Sequence, residues 1–122
     1  MVLFGASTGA AAALITAADR ADRVRLVISR GGRPDLAGNA LSRVRTPTLL
    51  IVGANDEHVL ELNLAAVAQM NAEVDLQIVP RATHLFTEPG TLEAVMDLVK
   101  AALDRRLPPA RVQDVDADPT NQ

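Results

Sequence analysis

Residues 2–10 have the sequence VLFGASTGA, and this stretch decides how the chain can fold. The apolar run Val2–Phe4 is typical of the end of a buried strand, and it stops at Gly5. The alanine-rich residues 10–18 that follow are strong helix formers. The stretch therefore predicts a strand that turns sharply into a helix, with Gly5 and Gly9 at the turn.

Residues 5–9, here called the elbow, have the form G-x-S-x-G between a strand and a helix, which is the context that a nucleophile elbow requires. We predict a strained backbone at Ser7 and clashes for any side chain at Gly5 or Gly9. The turn would lift the Ser7 hydroxyl clear of the sheet, and the N–H of Thr8 would point at a developing oxyanion. The motif alone does not distinguish a catalytic serine from a purely structural glycine-rich turn, because both have the same form.

The rest of the chain alternates short apolar runs with helical patterns, which indicates a parallel sheet covered by helices with right-handed crossovers. Further strands are predicted at Val24–Ser29, Thr48–Val52 and Leu76–Val79, and one helical turn at Leu36–Leu41. Two further helices are predicted, one from Val59 to Asn71 and a last one that begins near Thr91, its predicted N-cap. The first of these two helices has an apolar stripe formed by Leu60, Leu64 and Val67. The last helix has a longer stripe, formed by Leu92, Val95, Met96, Val99 and Leu103. We predict an α/β fold with about four parallel strands in residues 1–107 and a flexible tail in residues 108–122.

Two further chemistry-bearing residues follow predicted strands. Asp56 comes after Thr48–Val52 and His84 after Leu76–Val79, so both lie at the carboxyl edge of the sheet, where catalytic groups gather. The structural alternatives are that Asp56 caps the next helix and that His84 is a loop histidine with no catalytic role. The order Ser, Asp, His is that of α/β-hydrolases. It predicts Ser7 as nucleophile, His84 as base and then acid, and Asp56 as the group that orients the imidazole.

Composition and charge exclude several classes of function. The chain has 15 acidic and 12 basic residues and a net charge of −3, which argues against a nucleic-acid partner. The absence of cysteine rules out disulfides and thiol chemistry and fits a cytoplasmic protein. The uncharged stretch before Asp19 lacks a basic leader and is too weakly apolar for a membrane helix. No cofactor is expected, and His58 without a third ligand is predicted to be an exposed loop histidine and not part of a metal site.

Over about residues 1–105 the chain resembles α/β-hydrolases of the dienelactone hydrolase-like group. The motifs that carry the resemblance are LFGASTG at 3–9, SRGGRPDL at 29–36, PTLLIVG at 47–53 with Asp56, and ATHLF at 82–86. The resemblance implies the C-terminal half of such a fold and a serine hydrolase that acts on a small ester or lactone through an acyl-enzyme. The founding dienelactone hydrolases use a cysteine where this chain has Ser7.

The resemblance also implies strands and helices before the elbow, whereas Met1 lies only six residues before Ser7. One loop of that half supplies the second oxyanion N–H, and losing one such donor typically costs ~100- to 1000-fold in rate. The strand ending at Phe4 would be an exposed edge, which invites pairing with another chain. We therefore predict self-association or a partner that covers this edge.

Arg30 and Arg33 flank a glycine pair after the second strand. One hypothesis is that either arginine binds a carboxylate or phosphate of the substrate, and the alternative is a solvated basic loop. An NADP-binding half-domain with Arg30 on the 2′-phosphate is also open, although its fingerprint needs a glycine where Ala11 or Ala12 stands. A third interpretation is an inactive fragment with at most an interaction role.

Overall fold

The computed structural model describes residues 1–107, and the tail predicted for residues 108–122 lies outside the described residues. The elements, in chain order, are β1 (Val2–Ala6), α1 (Thr8–Asp19), β2 (Leu26–Arg30), a 3₁₀-helical segment (Pro34–Arg43) kinked at Gly38, β3 (Thr48–Gly53), α2 (Glu57–Gln69), β4 (Val74–Val79) and α3 (Thr91–Arg106).

The four strands form one parallel sheet in the order β1-β2-β3-β4. Because all four strands are parallel, the turns that follow them all lie at one edge of the sheet. The register pairs Ala6 with Arg30 and Gly53 with Val79, which sets the ends of the strands level with one another. The predicted α/β architecture of four parallel strands with flanking helices is confirmed.

Alternation along the strands divides the core into two apolar clusters, one on each face of the sheet. Val27 packs with α1, the 3₁₀-helical segment and α2. Leu26 and Ile28 point to the other face, where they pack with α3 and with Phe86. Helices therefore pack on both faces, as is usual for a parallel sheet, although Phe4 of β1 is 54% exposed.

The predicted apolar stripe of α2 is turned only partly inward, with Leu60 and Val67 half-buried and Leu64 exposed. The buried residues of α2 are Asn63 and Ala66, whereas Leu64 is 51% exposed. The reason is that the Asn63 amide donates hydrogen bonds to the carbonyls of Gly32 and Val59, at 3.1 and 2.8 Å, so the helix turns a polar side chain inward. Apolar spacing alone could not show that a polar contact sets the rotation of this helix.

Several predicted boundaries also differ. α1 begins at Thr8 and α2 at Glu57, so His58 is an exposed residue of a helix and not of a loop. The N-cap of α3 is Gly90, not Thr91, because the chain enters this helix through a left-handed residue with φ 82°. The Thr91 hydroxyl instead donates to the Glu88 carbonyl at 2.7 Å.

Within residues 1–107, no helix combines the length and the apolar character needed to cross a membrane.

Candidate active site

Ser7 lies at the sharp turn between β1 and α1, in a conformation that non-glycine residues rarely adopt (φ 51°, ψ −124°). Such a backbone is strained and persists only where its surroundings enforce it. Close packing of the strand on the helix does so, because a Cβ on Gly5 would lie 2.5 Å from the carbonyl carbon of Gly9. The prediction of a clash at Gly9 itself is wrong: a Cβ there would meet no described atom within 4 Å.

The side chains of Ser7, His84 and Asp56 meet above the carboxyl edge of the sheet. Ser7 Oγ is 3.3 Å from His84 Nε2, and His84 Nδ1 is 2.8 Å from Asp56 Oδ2. With its proton on Nδ1, the imidazole donates to the carboxylate and leaves Nε2 to accept from the serine hydroxyl. Asp56 precedes α2 but makes no side-chain cap, so its carboxylate serves the histidine and not the helix.

The three side chains of this hydrogen-bonded series, Asp56, His84 and Ser7, differ in how exposed they are to solvent. The Asp56 side chain is 14% exposed, whereas the His84 side chain is 42% exposed and Ser7 is open to solvent. Water screens a sheltered carboxylate less than an exposed one, so burial of Asp56 favours its hydrogen bond to the imidazole. The Ser7 hydroxyl, at the other end of the series, is accessible from solvent.

The loops that carry Asp56 and His84 are bonded to each other. Asn55 N–H donates to the Ala82 carbonyl at 2.9 Å, and Ala54 N–H donates to the Val79 carbonyl at 2.9 Å. At Gly53 the backbones approach so closely that a Cβ would lie 2.3 Å from the Ala82 carbonyl oxygen. The distance between carboxylate and imidazole is thus set by main-chain contacts.

The glycine-rich loop after β2 connects the elbow to the histidine. Arg33 N–H donates to the Ser7 carbonyl at 2.9 Å. A Cβ on Gly31 would lie 3.4 Å from the His84 ring. The Asn63 bond to Gly32 fixes the same loop from α2. Sequence reasoning missed Asn63, because nothing in the local pattern marks an asparagine as buried.

Glu88 holds the loop that carries His84, and it was also missed. Its carboxylate accepts a hydrogen bond from the Thr83 backbone N–H at 3.0 Å and another from the Thr83 hydroxyl at 2.5 Å. These hydrogen bonds favour the charged form and hold the pKa of Glu88 below its usual value of 4.5. The residue before the histidine is therefore anchored by an ionised side chain.

This anchor makes the stability of the chain depend on pH. Because the pKa of Glu88 is lowered by folding, its contribution is full above the usual carboxyl pKa and is lost as the pH falls through the lowered value. We expect Glu88→Gln to be less stable than the parent near neutral pH, and the difference to shrink in acid. Urea unfolding of both proteins at several pH values measures this. A stability difference that stays constant into acid would contradict it.

The two candidate substrate-binding arginines are in different situations. Arg33 donates to both carboxylate oxygens of Asp35, at 2.9 and 2.8 Å, and these hydrogen bonds lower the pKa of Asp35 and raise that of Arg33. The Arg30 guanidinium lies over the Phe86 ring, 5.9 Å from its centre. Among residues 1–107, no carboxylate lies within ion-pair distance of Arg30.

Thr8 is the first residue of α1, and a first-turn N–H has no acceptor within its own helix. The Ser7 side chain does not cap the helix, so it does not compete for these donors. The helix start is therefore a place where negative charge next to Ser7 can be stabilised.

In the part of the chain that the structure describes, no three His, Asp or Glu side chains are grouped to hold a metal ion.

Comparison with solved structures finds a similar fold in a hydrolase. A dienelactone hydrolase from Anabaena variabilis is 51% identical, with a TM-score of 0.84 and a match that covers 87% of this chain and 49% of that one. The chain is related to the dienelactone hydrolase-like α/β-hydrolases over this matched part. The resemblance predicted from the motifs is thus confirmed. A CIB-like hydrolase from Thermoplasma acidophilum, 24% identical with a TM-score of 0.65 over 84% of this chain and 48% of its own, shares the fold.

Two relatives from different strains of Mycobacterium tuberculosis are 62% identical over 95 residues. Both are provisionally named phosphoribosyl transferase, and the match covers 78% of this chain but 21% of each relative. The chain thus spans about a fifth of the length of these curated relatives and about half of the length of the solved hydrolases. No protein-family model matches it.

Proposed function

We propose that the chain carries the catalytic triad of a serine hydrolase that cleaves a small carboxylic ester or lactone. The hydrogen-bonded series from Ser7 through His84 to Asp56 is the observation that supports this most. A serine hydroxyl is a weak nucleophile, and it needs an adjacent base that is itself oriented by a third group. The strained backbone at Ser7 supports the same proposal, since such strain gathers at catalytic sites.

In the proposed reaction, Ser7 Oγ attacks the acyl carbon while its proton passes to His84 Nε2. Asp56 stabilises the imidazolium that forms, and the negative oxygen accepts a hydrogen bond from the N–H of Thr8. His84 then gives the proton to the leaving alcohol, and an acyl-enzyme remains on Ser7. Water attacks this ester with His84 again as base, which releases the acid and restores the serine.

The phosphoribosyl transferase name belongs to proteins of which this chain matches a fifth, so we do not extend that activity to it. The rate of the isolated chain depends on how many oxyanion donors it assembles. Thr8 would provide one, and each missing donor typically costs ~100- to 1000-fold. A slow esterase that still requires Ser7 is therefore what we expect.

Hydrolysis of para-nitrophenyl acetate tests this proposal. We expect a slow rate for the parent, and a rate for Ser7→Ala that equals the uncatalysed background, because the variant removes the attacking oxygen. Circular dichroism of both proteins checks that the exposed substitution leaves the fold intact. Equal rates for parent and variant would contradict the proposal.

Within this proposal, Arg30 is better suited than Arg33 to hold an anionic group of the substrate. Register places Arg30 beside Ala6, the residue before Ser7. Its guanidinium lies over Phe86, two residues beyond His84, and has no carboxylate partner among the described residues. Arg33 is already neutralised by Asp35.

We expect Arg30→Ala to raise KM for para-nitrophenyl hydrogen adipate by roughly 10- to 100-fold, since one charge-assisted hydrogen bond is worth about 1.5–3 kcal/mol. KM for the methyl ester of the same compound, which lacks the charge, should change little. Arg45→Ala, at an exposed arginine before β3, controls for overall charge. Equal changes for both esters would remove Arg30 from the substrate site.

A further inference from the structure

Asn63 is a fully buried polar residue of α2, outside the hydrogen-bonded series of the candidate site. Its Nδ2 donates to the carbonyls of Gly32 and Val59, whereas its Oδ1 has no hydrogen-bond partner among the described residues. A buried amide oxygen without a partner destabilises a fold. Filling of the core alone therefore does not account for an asparagine at this position, and its bond to Gly32 indicates a second role.

The peptide group between Gly32 and Arg33 links Asn63 to the elbow. Its carbonyl, on Gly32, accepts from Asn63 Nδ2 at 3.1 Å, and its N–H, on Arg33, donates to the Ser7 carbonyl at 2.9 Å. Because a peptide group is planar, a bond that holds its carbonyl also fixes the direction of its N–H. Asn63 therefore acts on the Ser7 carbonyl without touching it.

The peptide group between Ser7 and Thr8 carries this effect one step further. The Ser7 carbonyl and the Thr8 N–H belong to one planar trans peptide, in which they point in opposite directions. The hydrogen bond from Arg33 to the carbonyl therefore also sets where the Thr8 N–H points. This carbonyl accepts a second bond from the Ala10 N–H at 3.3 Å, so the Arg33 bond is the shorter of the two.

Gly32 is held by three elements of the fold. A Cβ at this position would lie 2.1 Å from Ser29 Oγ on β2 and 2.4 Å from Ala10 Cβ on α1, and Asn63 bonds its carbonyl from α2. The close contacts with Ser29 and Ala10 set the position of Gly32. The bond from Asn63 sets the rotation of the peptide group that follows it.

We propose that Asn63 is a positioning residue for the oxyanion donor of this site. Through the two peptide groups, its amide orients the Thr8 N–H toward the oxygen that becomes negative when Ser7 attacks. Hydrogen bonds in such a series also polarise one another, so the bond from Asn63 makes the Thr8 N–H a stronger donor. The inference rests on the proposed function, because this oxyanion forms only if Ser7 attacks an acyl carbon.

Asn63→Leu in the whole chain tests the proposal, because leucine keeps the size of the side chain and removes its donor. We expect kcat for para-nitrophenyl acetate to fall roughly tenfold, since a weakened donor loses part of the ~100- to 1000-fold that its complete loss costs. KM should stay within about twofold, because the Thr8 N–H meets full negative charge only in the transition state. Asn71→Leu is the matched control, since Asn71 donates to the Ser42 carbonyl at 2.9 Å, before β4 and thus at the opposite edge of the sheet.

Backbone amide proton shifts distinguish positioning from a general loss of stability, and their measurement by NMR requires no turnover. We expect the amide signals of Thr8 and Arg33 to move upfield in Asn63→Leu, because both hydrogen bonds in the series weaken. Asn71→Leu should leave both signals in place. If Asn63→Leu does not fold, Asn63→Ser replaces it, because a serine hydroxyl reaches the helix carbonyl one turn back but not Gly32.

Three results would overturn the inference. One is an unchanged kcat in the folded Asn63→Leu variant, and another is an equal loss in Asn63→Leu and Asn71→Leu. The third is a shifted pH profile of kcat/KM with an unmoved Thr8 amide signal, which would mean that the loop acts on His84 through Gly31. A parent that does not hydrolyse the ester at all would instead contradict the proposed function, and the amide shifts would still decide whether Asn63 orients the Thr8 N–H.

Discussion

Replacement of His84 by Ala is expected to lower the esterase rate by roughly 10⁴-fold, provided that the parent rate is high enough to measure such a loss. The imidazole is the only base within hydrogen-bond reach of the Ser7 hydroxyl among the described residues, at 3.3 Å. Without it, the proton of the attacking hydroxyl has no acceptor better than water. For a slow parent, the rate should fall to the uncatalysed background. The measurement is hydrolysis of para-nitrophenyl acetate at saturating ester.

The chain offers a matched control, since its two histidines are His58 and His84. His58 is an exposed residue of α2, so His58→Ala removes an imidazole without touching Ser7 or Asp56. We expect His58→Ala to keep the parent rate. Equal losses in both variants would show that the hydrolysis comes from surface imidazole, and the triad would lose its support.

Replacement of Gly5 by Ala is expected to destabilise the fold by about 3 kcal/mol or more, at the upper end of what overpacking costs. The added Cβ would lie 2.5 Å from Gly9 backbone atoms and 2.6 Å from the Ala10 nitrogen. Backbone cannot move aside as a flexible side chain can, so α1 would have to shift away from β1. Urea unfolding followed by circular dichroism measures the loss.

Gly9→Ala is the control for this substitution, because it adds the same methyl group four residues away. A Cβ at Gly9 meets nothing within 4 Å among the described residues, and Gly9 lies within α1. We expect Gly9→Ala to be neutral or to stabilise by up to about 1 kcal/mol, since alanine favours helix over glycine. A large loss of stability in Gly9→Ala, or none in Gly5→Ala, would contradict this account of the elbow.

Much of the fold could be predicted from local patterns. The turn from β1 into α1 follows from an apolar run, two glycines and an alanine-rich stretch, and β3 follows from an uninterrupted aliphatic run. The grouping of Ser7, Asp56 and His84 also follows from topology, because the carboxyl ends of parallel strands share one edge. The motifs near the strand ends therefore carried most of the information about the fold and about which residues meet at the site.

The supporting contacts could not be predicted in the same way. Asn63 reaches Gly32 across 31 residues of sequence, and which side of α2 turns inward depends on that bond. Glu88 fixes Thr83 through a loop whose conformation no apolar spacing encodes. Arg30 and Arg33 look equivalent in the motif, and only the position of Asp35 distinguishes them. Each case rests on a side-chain contact and not on secondary-structure periodicity.

The central claim is that Ser7 is an activated nucleophile, and intact-mass labelling with a fluorophosphonate tests it most directly. We expect one adduct on the parent, none on Ser7→Ala and a much slower reaction of His84→Ala. Labelling needs only the attack step, so it can succeed even where turnover is slow. If the folded parent takes no adduct, or Ser7→Ala takes the same one, the triad geometry does not activate this serine and the proposed function is wrong.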